Sequence, residues 1–78
     1  MASKYTTNDI VAKKLRLARG SRKQDSIARK LGMSADFVSN KERGLSNITV
    51  NDLAKFAEVY KKPILYFLSD IINKKYDI

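Results

Sequence analysis

Cysteine, histidine and tryptophan are all absent from this chain of 78 residues. Without cysteine the chain forms neither disulfides nor thiolate metal sites, and without histidine it lacks the commonest general base and metal ligand at neutral pH. Zinc fingers, Cys or Ser–His hydrolases, and haem proteins with His or Cys ligands are therefore excluded. The eight acidic residues are scattered, with neither paired carboxylates nor metal-ligand spacing. We predict that the protein is not an enzyme and uses no metal or cofactor.

Long apolar segments are also missing. No apolar run approaches the roughly 20 residues that a membrane-spanning helix requires. The N-terminal residues lack the apolar stretch of a secretory signal. The length allows one domain with one modest core. These features predict a single cytoplasmic domain without a membrane partner.

Charge is abundant and unevenly distributed. Sixteen Lys and Arg against eight Asp and Glu give a net charge of +8. Residues 1–44 hold eleven of the basic and four of the acidic side chains, a net charge of +7. Such a basic half indicates a face that meets a polyanion. The alternative is that the excess charge only increases solubility.

Glycine and proline are scarce enough to mark the ends of helices. The three glycines are Gly20, Gly32 and Gly44, and the only proline is Pro63. Between them apolar residues recur at helical spacing, without the alternation that is typical of strands. The pattern predicts an all-α domain of five short helices, with Gly20 as a left-handed C-cap and Pro63 in the first turn of the fifth helix. The predicted N-terminal caps are Thr7 or Asn8, Ser21 with Gln24, Ser34, and Thr49 with Asp52.

The predicted third helix, Ala35 to Arg43, differs from its neighbours because it offers few residues to a core. Its only aliphatic core candidate is Val38, with Phe37 beside it, so most of its surface is expected to face outward. Short polar side chains on an exposed helix between basic segments suit insertion into a DNA major groove. The alternative is an ordinary solvated helix.

Residues 24–44 contain Gln24, Ile27-Ala28, Leu31-Gly32-Met33-Ser34, Val38-Ser39 and Glu42-Arg43-Gly44. With these residues at these offsets, the segment resembles the Cro/repressor-type (XRE-like) helix-turn-helix family. The resemblance extends over roughly residues 10–70 and implies a compact five-helix repressor-like domain. It also implies binding to double-stranded DNA with the third helix in the major groove.

The resemblance also implies which side chains meet DNA. Asn40 is expected to contact adenine, whereas Asp36 either accepts from a cytosine amino group or only stabilises the helix N-terminus. Phe37 is expected to contact DNA and also to pack on the core. The expected base-reading residues are Ala35, Asp36, Ser39 and Asn40. The expected contacts to the DNA backbone, some of them mixed, are Lys23, Gln24, Ser34, Phe37, Arg43, Ser46 and Asn47.

Two features depart from the family pattern. Lys41 occupies a position that is usually apolar, so either its stem lies over the core with the amine at the edge, or the helix docks differently. The connection over residues 20–23 is one residue longer than usual. With that insertion allowed, the resemblance implies an ion pair between Arg16 and Glu42. The alternative is two exposed charges.

The fifth helix is apolar on two stripes, one of Ile64, Phe67 and Ile71 and another of Leu65, Leu68 and Ile72. A domain of this size is not expected to bury both, and a two-fold dimer would cover the excess. The alternative is that the last residues fold back over the core or fray. The expected dimer interface is Leu65, Tyr66, Leu68, Ile72 and Tyr76.

Together these features predict one DNA-binding domain with a flexible arm (1–7), a helix-turn-helix (24–44) and a C-terminal dimerisation segment (62–78). The expected function is sequence-specific transcriptional regulation in a bacterium or phage. We expect a repressor that binds a near-palindromic operator as a homodimer and is associated with the nucleoid when bound. The alternative is an antitoxin or adaptor whose C-terminal helix binds a partner protein.

Overall fold

The computed structural model describes residues 6–74, with side chains described as far as Ile71. Within these residues the chain is all-α, as predicted, and none of the helices is long and apolar enough to cross a membrane. The helices are α1 (Thr7–Arg19), α2 (Gln24–Leu31), α3 (Ala35–Glu42), α4 (Val50–Tyr60) and α5 (Ile64–Lys74).

All five helices contribute to one hydrophobic core. Leu15 of α1, Ile27 of α2 and Val38 of α3 are fully buried against Phe56 of α4 and Phe67 of α5. The rings of Phe56 and its neighbour Tyr60 stack with centroids 5.9 Å apart. The remaining buried hydrophobic residues are Val11, Ala12, Ala18, Ala28, Leu53 and Ala57.

Helix α1 begins earlier than predicted. Thr6, not Thr7 or Asn8, is its N-cap, because the Thr6 hydroxyl accepts from the Asp9 N–H at 3.1 Å and the Asp9 carboxylate accepts from the Thr6 N–H. The three-residue spacing from Thr6 to Asp9 allows this reciprocal capping box. Thr7 therefore lies in α1, not in the expected arm, and residues 1–5 of that arm lie outside the described residues.

The other helix ends test the remaining caps. The Ser34 cap of α3 and the Thr49–Asp52 capping box of α4 are confirmed. The predicted Ser21–Gln24 box is wrong, because α2 begins after Lys23 and no side chain caps it. Gly20 was predicted to be a left-handed C-cap, but its φ of 61° is paired with a ψ of −131°, which lies outside the left-handed helical region. Pro63 was predicted in the first turn of the fifth helix and instead directly precedes α5.

Gly44 follows α3 and is required for two reasons. Its φ is +72°, a conformation that side chains disfavour. A β-carbon at Gly44 would also lie 2.6 Å from a carboxylate oxygen of Asp9. The other oxygen of the same carboxylate accepts from the Thr6 N–H in the α1 capping box, so a shift of Asp9 away from Gly44 would disturb that hydrogen bond.

Replacing Gly44 by alanine is therefore expected to cost more than the left-handed conformation alone. Gly32→Ala is a matched control, because Gly32 has the same φ of +72° and no atom lies within 4 Å of the position that its β-carbon would take. We expect Gly32→Ala to lower the free energy of unfolding by about 1–2 kcal/mol. Gly44→Ala should cost roughly a further 1 kcal/mol for the disturbed cap. Equal urea midpoints for the two variants would contradict the proposed contact with Asp9.

Candidate nucleic-acid interface

Helix α3 packs on the domain through one side and presents the other. Val38 is fully buried, and the half-buried Phe37 ring stacks on Phe56 with centroids 6.1 Å apart. Lys41 and Glu42 are also buried, although both are charged. The helix is therefore held over its whole length by apolar and ionic contacts, and this fixes which residues face outward.

The outward side of α3 carries the predicted base-reading residues. Asp36 and Asn40 are both exposed and, being four residues apart, lie on one face of the helix. Ala35 and Ser39 are partly buried beside them with the same spacing. Among the described residues, the side chains of Asp36 and Asn40 form no hydrogen bond or ion pair with one another or with their neighbours. Their polar groups are therefore available to a ligand.

The predicted phosphate-contacting residues lie in two groups beside this face. Lys23 and Gln24 stand at the start of α2, whereas Arg43, Ser46 and Asn47 are exposed in the loop after α3. We call residues 43–49 the α3–α4 loop. The Ser34 hydroxyl oxygen accepts from the Phe37 N–H at 3.2 Å, which leaves its own hydrogen available for donation. Gln24 is only partly exposed, because its amide also has a partner inside the domain.

That partner is Glu42, whose carboxylate is only 1% exposed. Arg19 binds it with two parallel hydrogen bonds, from Nε to Oε2 at 2.7 Å and from a terminal nitrogen to Oε1 at 3.0 Å. The Gln24 amide donates to Oε1 at 3.0 Å. The buried carboxylate therefore joins the last turn of α3 to α1 and to the first residue of α2.

The predicted ion pair between Arg16 and Glu42 is wrong in its arginine. Arg19, three residues later on the same face of α1, reaches the carboxylate, and Arg16 donates instead to the main-chain carbonyl of Glu42. Both arginines reach the end of α3, but only Arg19 has the position for bidentate pairing. The resemblance correctly located the carboxylate but not the arginine that pairs with it.

The surroundings of Glu42 alter the acidity of two neighbours. The hydrogen bond to Glu42 raises the pKa of Arg19 above its ordinary value, so the guanidinium stays charged. Burial raises the pKa of Tyr60 to about 12, and the negative charge of Glu42 adds to the shift. The Tyr60 hydroxyl is buried and has no hydrogen-bond partner among the described residues. At neutral pH the phenol is therefore uncharged beside a charged pair.

Lys41 follows only part of the first arrangement considered for it, because its stem lies over the core as expected but its amine is paired inside the domain and does not lie at the edge. Its stem is buried, and its Nζ lies 2.9 Å from a carboxylate oxygen of Asp52 at the start of α4. The same amine donates to the main-chain carbonyl of Asn47 and lies 5.2 Å from the centroid of the Phe37 ring. Partial burial alone would raise the pKa of Asp52, but hydrogen bonds from the Thr49 main chain and from Lys41 hold it below its ordinary value.

Asn8, which the sequence indicated only as a possible helix cap, has a different role. Its amide nitrogen donates to the carbonyls of Ser46 at 3.1 Å and Gly44 at 3.4 Å. Its amide oxygen accepts from the Ile48 N–H at 2.8 Å. One side chain of α1 thus bonds to the main chain of the α3–α4 loop at three residues.

The described part of helix α5 covers two of the predicted dimer residues in part. Tyr66 and Leu68 are partly buried against the core, and the Tyr66 ring meets Phe67 edge-on at 5.1 Å. Leu65 is 59% exposed and Ile64 37% exposed. The side chain of Ile72 and the whole of Tyr76 lie outside the described residues. Of the predicted dimer residues that are described, only Leu65 is mostly exposed.

The amine of Lys14 links α1 to this helix. Its Nζ lies 4.7 Å from the Tyr66 ring centroid and 3.7 Å from a carboxylate oxygen of Asp70. Lys62 lies over the same ring, with Nζ 5.0 Å from its centroid. These contacts hold the Tyr66 ring within its own chain. No group of three or more Asp or Glu side chains suited to a metal ion occurs in residues 6–74.

The two arginines near Glu42 should differ in their effect on stability. Arg19→Ala leaves a buried carboxylate without its ion-pair partner and should lower the free energy of unfolding by roughly 3 kcal/mol. Arg16→Ala is the matched control, because it removes one hydrogen bond to a main-chain carbonyl and should cost about 1 kcal/mol. Urea unfolding at pH 7 measures both. A larger loss in Arg16→Ala than in Arg19→Ala would contradict the assignment.

The lowered pKa of Asp52 predicts a loss of stability in acid. A carboxyl group whose pKa is depressed by folding stabilises the fold above its unfolded pKa of about 4, and this contribution is lost as the pH falls through the folded value. Asp52→Asn should therefore be less stable than the wild type at pH 7, by about 1–3 kcal/mol, because Lys41 loses its counter-charge. The difference should shrink towards pH 2.

Asp9→Asn is the matched control, because Asp9 holds the same capping-box position in α1 and no described lysine or arginine pairs with it. Its stability difference from the wild type should depend less on pH than that of Asp52→Asn. Thermal unfolding of the three proteins from pH 7 to pH 2 makes the comparison. Parallel pH profiles for the two variants would show that the Lys41–Asp52 ion pair contributes no stability of its own.

The chain matches a known protein family. Residues 13–67, more than half of the chain, match a family model described as helix-turn-helix. The match begins within α1 and ends within α5 and therefore contains both α2 and α3. No curated protein and no solved structure shows a significant match to the chain. The family match and the five-helix fold together show that the chain belongs to the Cro/repressor-type (XRE-like) helix-turn-helix family of DNA-binding transcription regulators.

Proposed function

We propose that the protein is a repressor that binds a near-palindromic operator as a homodimer, with α3 in the major groove. The observation that carries this proposal is the division of α3 into two sides. Val38 and Glu42 hold one side to the domain, while Asp36 and Asn40 on the other have no side-chain partner among the described residues. Occupancy of the operator by the dimer would block polymerase. The protein would then act in the cytoplasm, associated with the nucleoid.

The exposed side of α3 has the chemistry for reading bases. The Asn40 amide supplies the donor and acceptor that match the N7 and N6 positions of adenine. The Asp36 carboxylate accepts from a cytosine amino group, or it repels phosphates at wrong sites and stabilises the helix N-terminus. Ala35 offers a methyl group to thymine, and Ser39 offers a hydroxyl. Sequence choice would depend on these four residues.

Phosphate contacts would orient the helix in the groove. Arg43 and Lys23 supply positive charge at opposite ends of the helix-turn-helix, and the first amides of α2 have no side-chain cap. Gln24 uses one amide hydrogen for Glu42 and retains a second for a phosphate. The exposed part of Phe37 would contact a sugar or a thymine methyl. Ser34, Ser46 and Asn47 complete the proposed backbone contacts.

Base-reading and phosphate-binding residues should differ in a selection from random DNA duplexes. Asn40→Ala should relax preference at one position of each half-site, at a cost of about 1–3 kcal/mol on the preferred sequence. Arg43→Ala should weaken binding to all sequences and lower the salt slope by about 1. Lys55→Ala controls for the loss of one exposed charge outside the proposed interface. Equal losses of binding affinity in Asn40→Ala and Arg43→Ala on every DNA sequence would contradict this division of roles.

The proposed dimer interface lies on the fifth helix and the segment after it. Leu65 is its most exposed described residue, with Tyr66 and Leu68 contributing their partly exposed edges. Ile72 and Tyr76 belong to the proposal on sequence grounds alone. A two-fold axis through this surface would set two copies of α3 about one DNA turn apart.

Leu65→Asp should convert a dimer into a monomer, because it places a charge in an apolar interface. Leu17→Asp is the matched control, since Leu17 of α1 is 57% exposed against 59% for Leu65 and lies outside the proposed interface. Equilibrium sedimentation with and without DNA measures the state of each protein. A wild type that stays monomeric at micromolar concentration in both conditions would refute the dimer and favour a partner protein on α5.

A further inference from the structure

The main-chain groups of the α3–α4 loop form hydrogen bonds of two kinds. Its first residues bond to the end of α3, with Gly44 and Leu45 donating to the carbonyls of Lys41 and Asn40. From Ser46 to Ile48 the main-chain groups bond instead to side chains of other elements. The conformation of this stretch is therefore set by those side chains, not by a regular turn.

Two side chains, Asn8 of α1 and Lys41 of α3, hold the loop from different elements. Asn8 donates to Gly44 and Ser46 and accepts from Ile48, with distances between 2.8 and 3.4 Å. An asparagine amide is suited to this task because it donates and accepts at once, which neither aspartate nor leucine does. Asn8 is 36 to 40 residues from the groups it binds, so these bonds constrain the fold over a long range.

Lys41 binds the loop at Asn47, between Ser46 and Ile48, which are bound by Asn8. Its amine donates to the Asn47 carbonyl while pairing with Asp52 at 2.9 Å. The carboxylate of Asp52 neutralises the charge of Lys41 inside the domain. Because Lys41 is only 8% exposed, its amine is not accessible to phosphates. In this respect it differs from the exposed Arg43 two residues later.

We infer that Asn8 and Lys41 are positioning residues for DNA binding. They hold the α3–α4 loop, before DNA arrives, in the conformation that presents exposed Ser46 and Asn47 to the phosphate backbone. A loop ordered in advance loses less conformational entropy on binding, so the same contacts yield a higher affinity. This inference rests on the proposed function, because it assumes that the loop contacts DNA.

The first test concerns the free protein and needs no DNA. Asn8→Ala removes the acceptor of the Ile48 N–H, so hydrogen exchange at that amide should become at least about tenfold faster. Asn51→Ala makes the same substitution at an exposed asparagine in the first turn of α4 and should leave Ile48 exchange unchanged. Unchanged Ile48 exchange in Asn8→Ala would overturn the inference by showing that Asn8 does not hold the loop.

The second test measures affinity for the selected DNA site. Asn8→Ala and Lys41→Met, which keeps the buried stem of Lys41, should each bind about fivefold to tenfold more weakly than the wild type. Asn51→Ala should bind like the wild type. Val59→Ala, a partly buried residue of α4 packed on the core, controls for lowered stability and should also keep wild-type affinity.

A double-mutant cycle distinguishes positioning from a general loss of structure. In a Ser46→Ala/Asn47→Ala background the loop contacts are already gone, so Asn8→Ala should cause no further loss of affinity. The same loss in both backgrounds would overturn the inference. Full affinity in Asn8→Ala despite faster Ile48 exchange would also overturn it and leave the proposed function standing. A wild-type protein that selects no DNA sequence would refute the proposed function and this inference with it.

Discussion

A buried carboxylate determines how helix α3, the proposed DNA-reading helix, sits on the domain. Glu42 is 1% exposed, and a charge so far from water is tolerated only when it is fully paired. Its partners come from two other helices, with Arg19 binding both oxygens and Gln24 binding one. The geometry of bidentate pairing is strict, so the last turn of α3 has one position relative to α1 and α2. The outward direction of Asp36 and Asn40 follows from that position.

A second ionic contact fixes the position of the α3–α4 loop relative to α3. Lys41 joins the helix to Asp52 and to the Asn47 carbonyl, and Asn8 secures the loop from α1. Gly44 allows the chain to leave α3 in a left-handed conformation close to Asp9. The same network of hydrogen bonds and ion pairs therefore joins the proposed base-reading face to the proposed phosphate-binding loop. A binding surface that is ordered in advance loses less conformational entropy when it binds.

The features predicted correctly from the sequence are mostly local ones. Ser34, Thr49 with Asp52, and Gly32 end or begin helices through contacts within a few residues, and such contacts depend on short spacings that the sequence displays. The errors concern choices between similar residues that lie close together. The N-cap of α1 is Thr6, where Thr7 or Asn8 was predicted, and the partner of Glu42 is Arg19, where Arg16 was predicted. The hydrogen bonds of Asn8 to the loop and the ion pair of Lys41 with Asp52 were not predicted, because these partners are set by tertiary packing.

The central claim is that α3, held by Glu42, reads DNA bases in a two-fold complex. Selection of bound sequences from a random duplex library by the wild-type protein at physiological salt tests it most directly. We predict enrichment of a near-palindrome whose half-sites lie about one helical turn apart. Retention of duplexes without sequence enrichment would show that the basic half of the chain binds phosphates alone, and this result would contradict the claim.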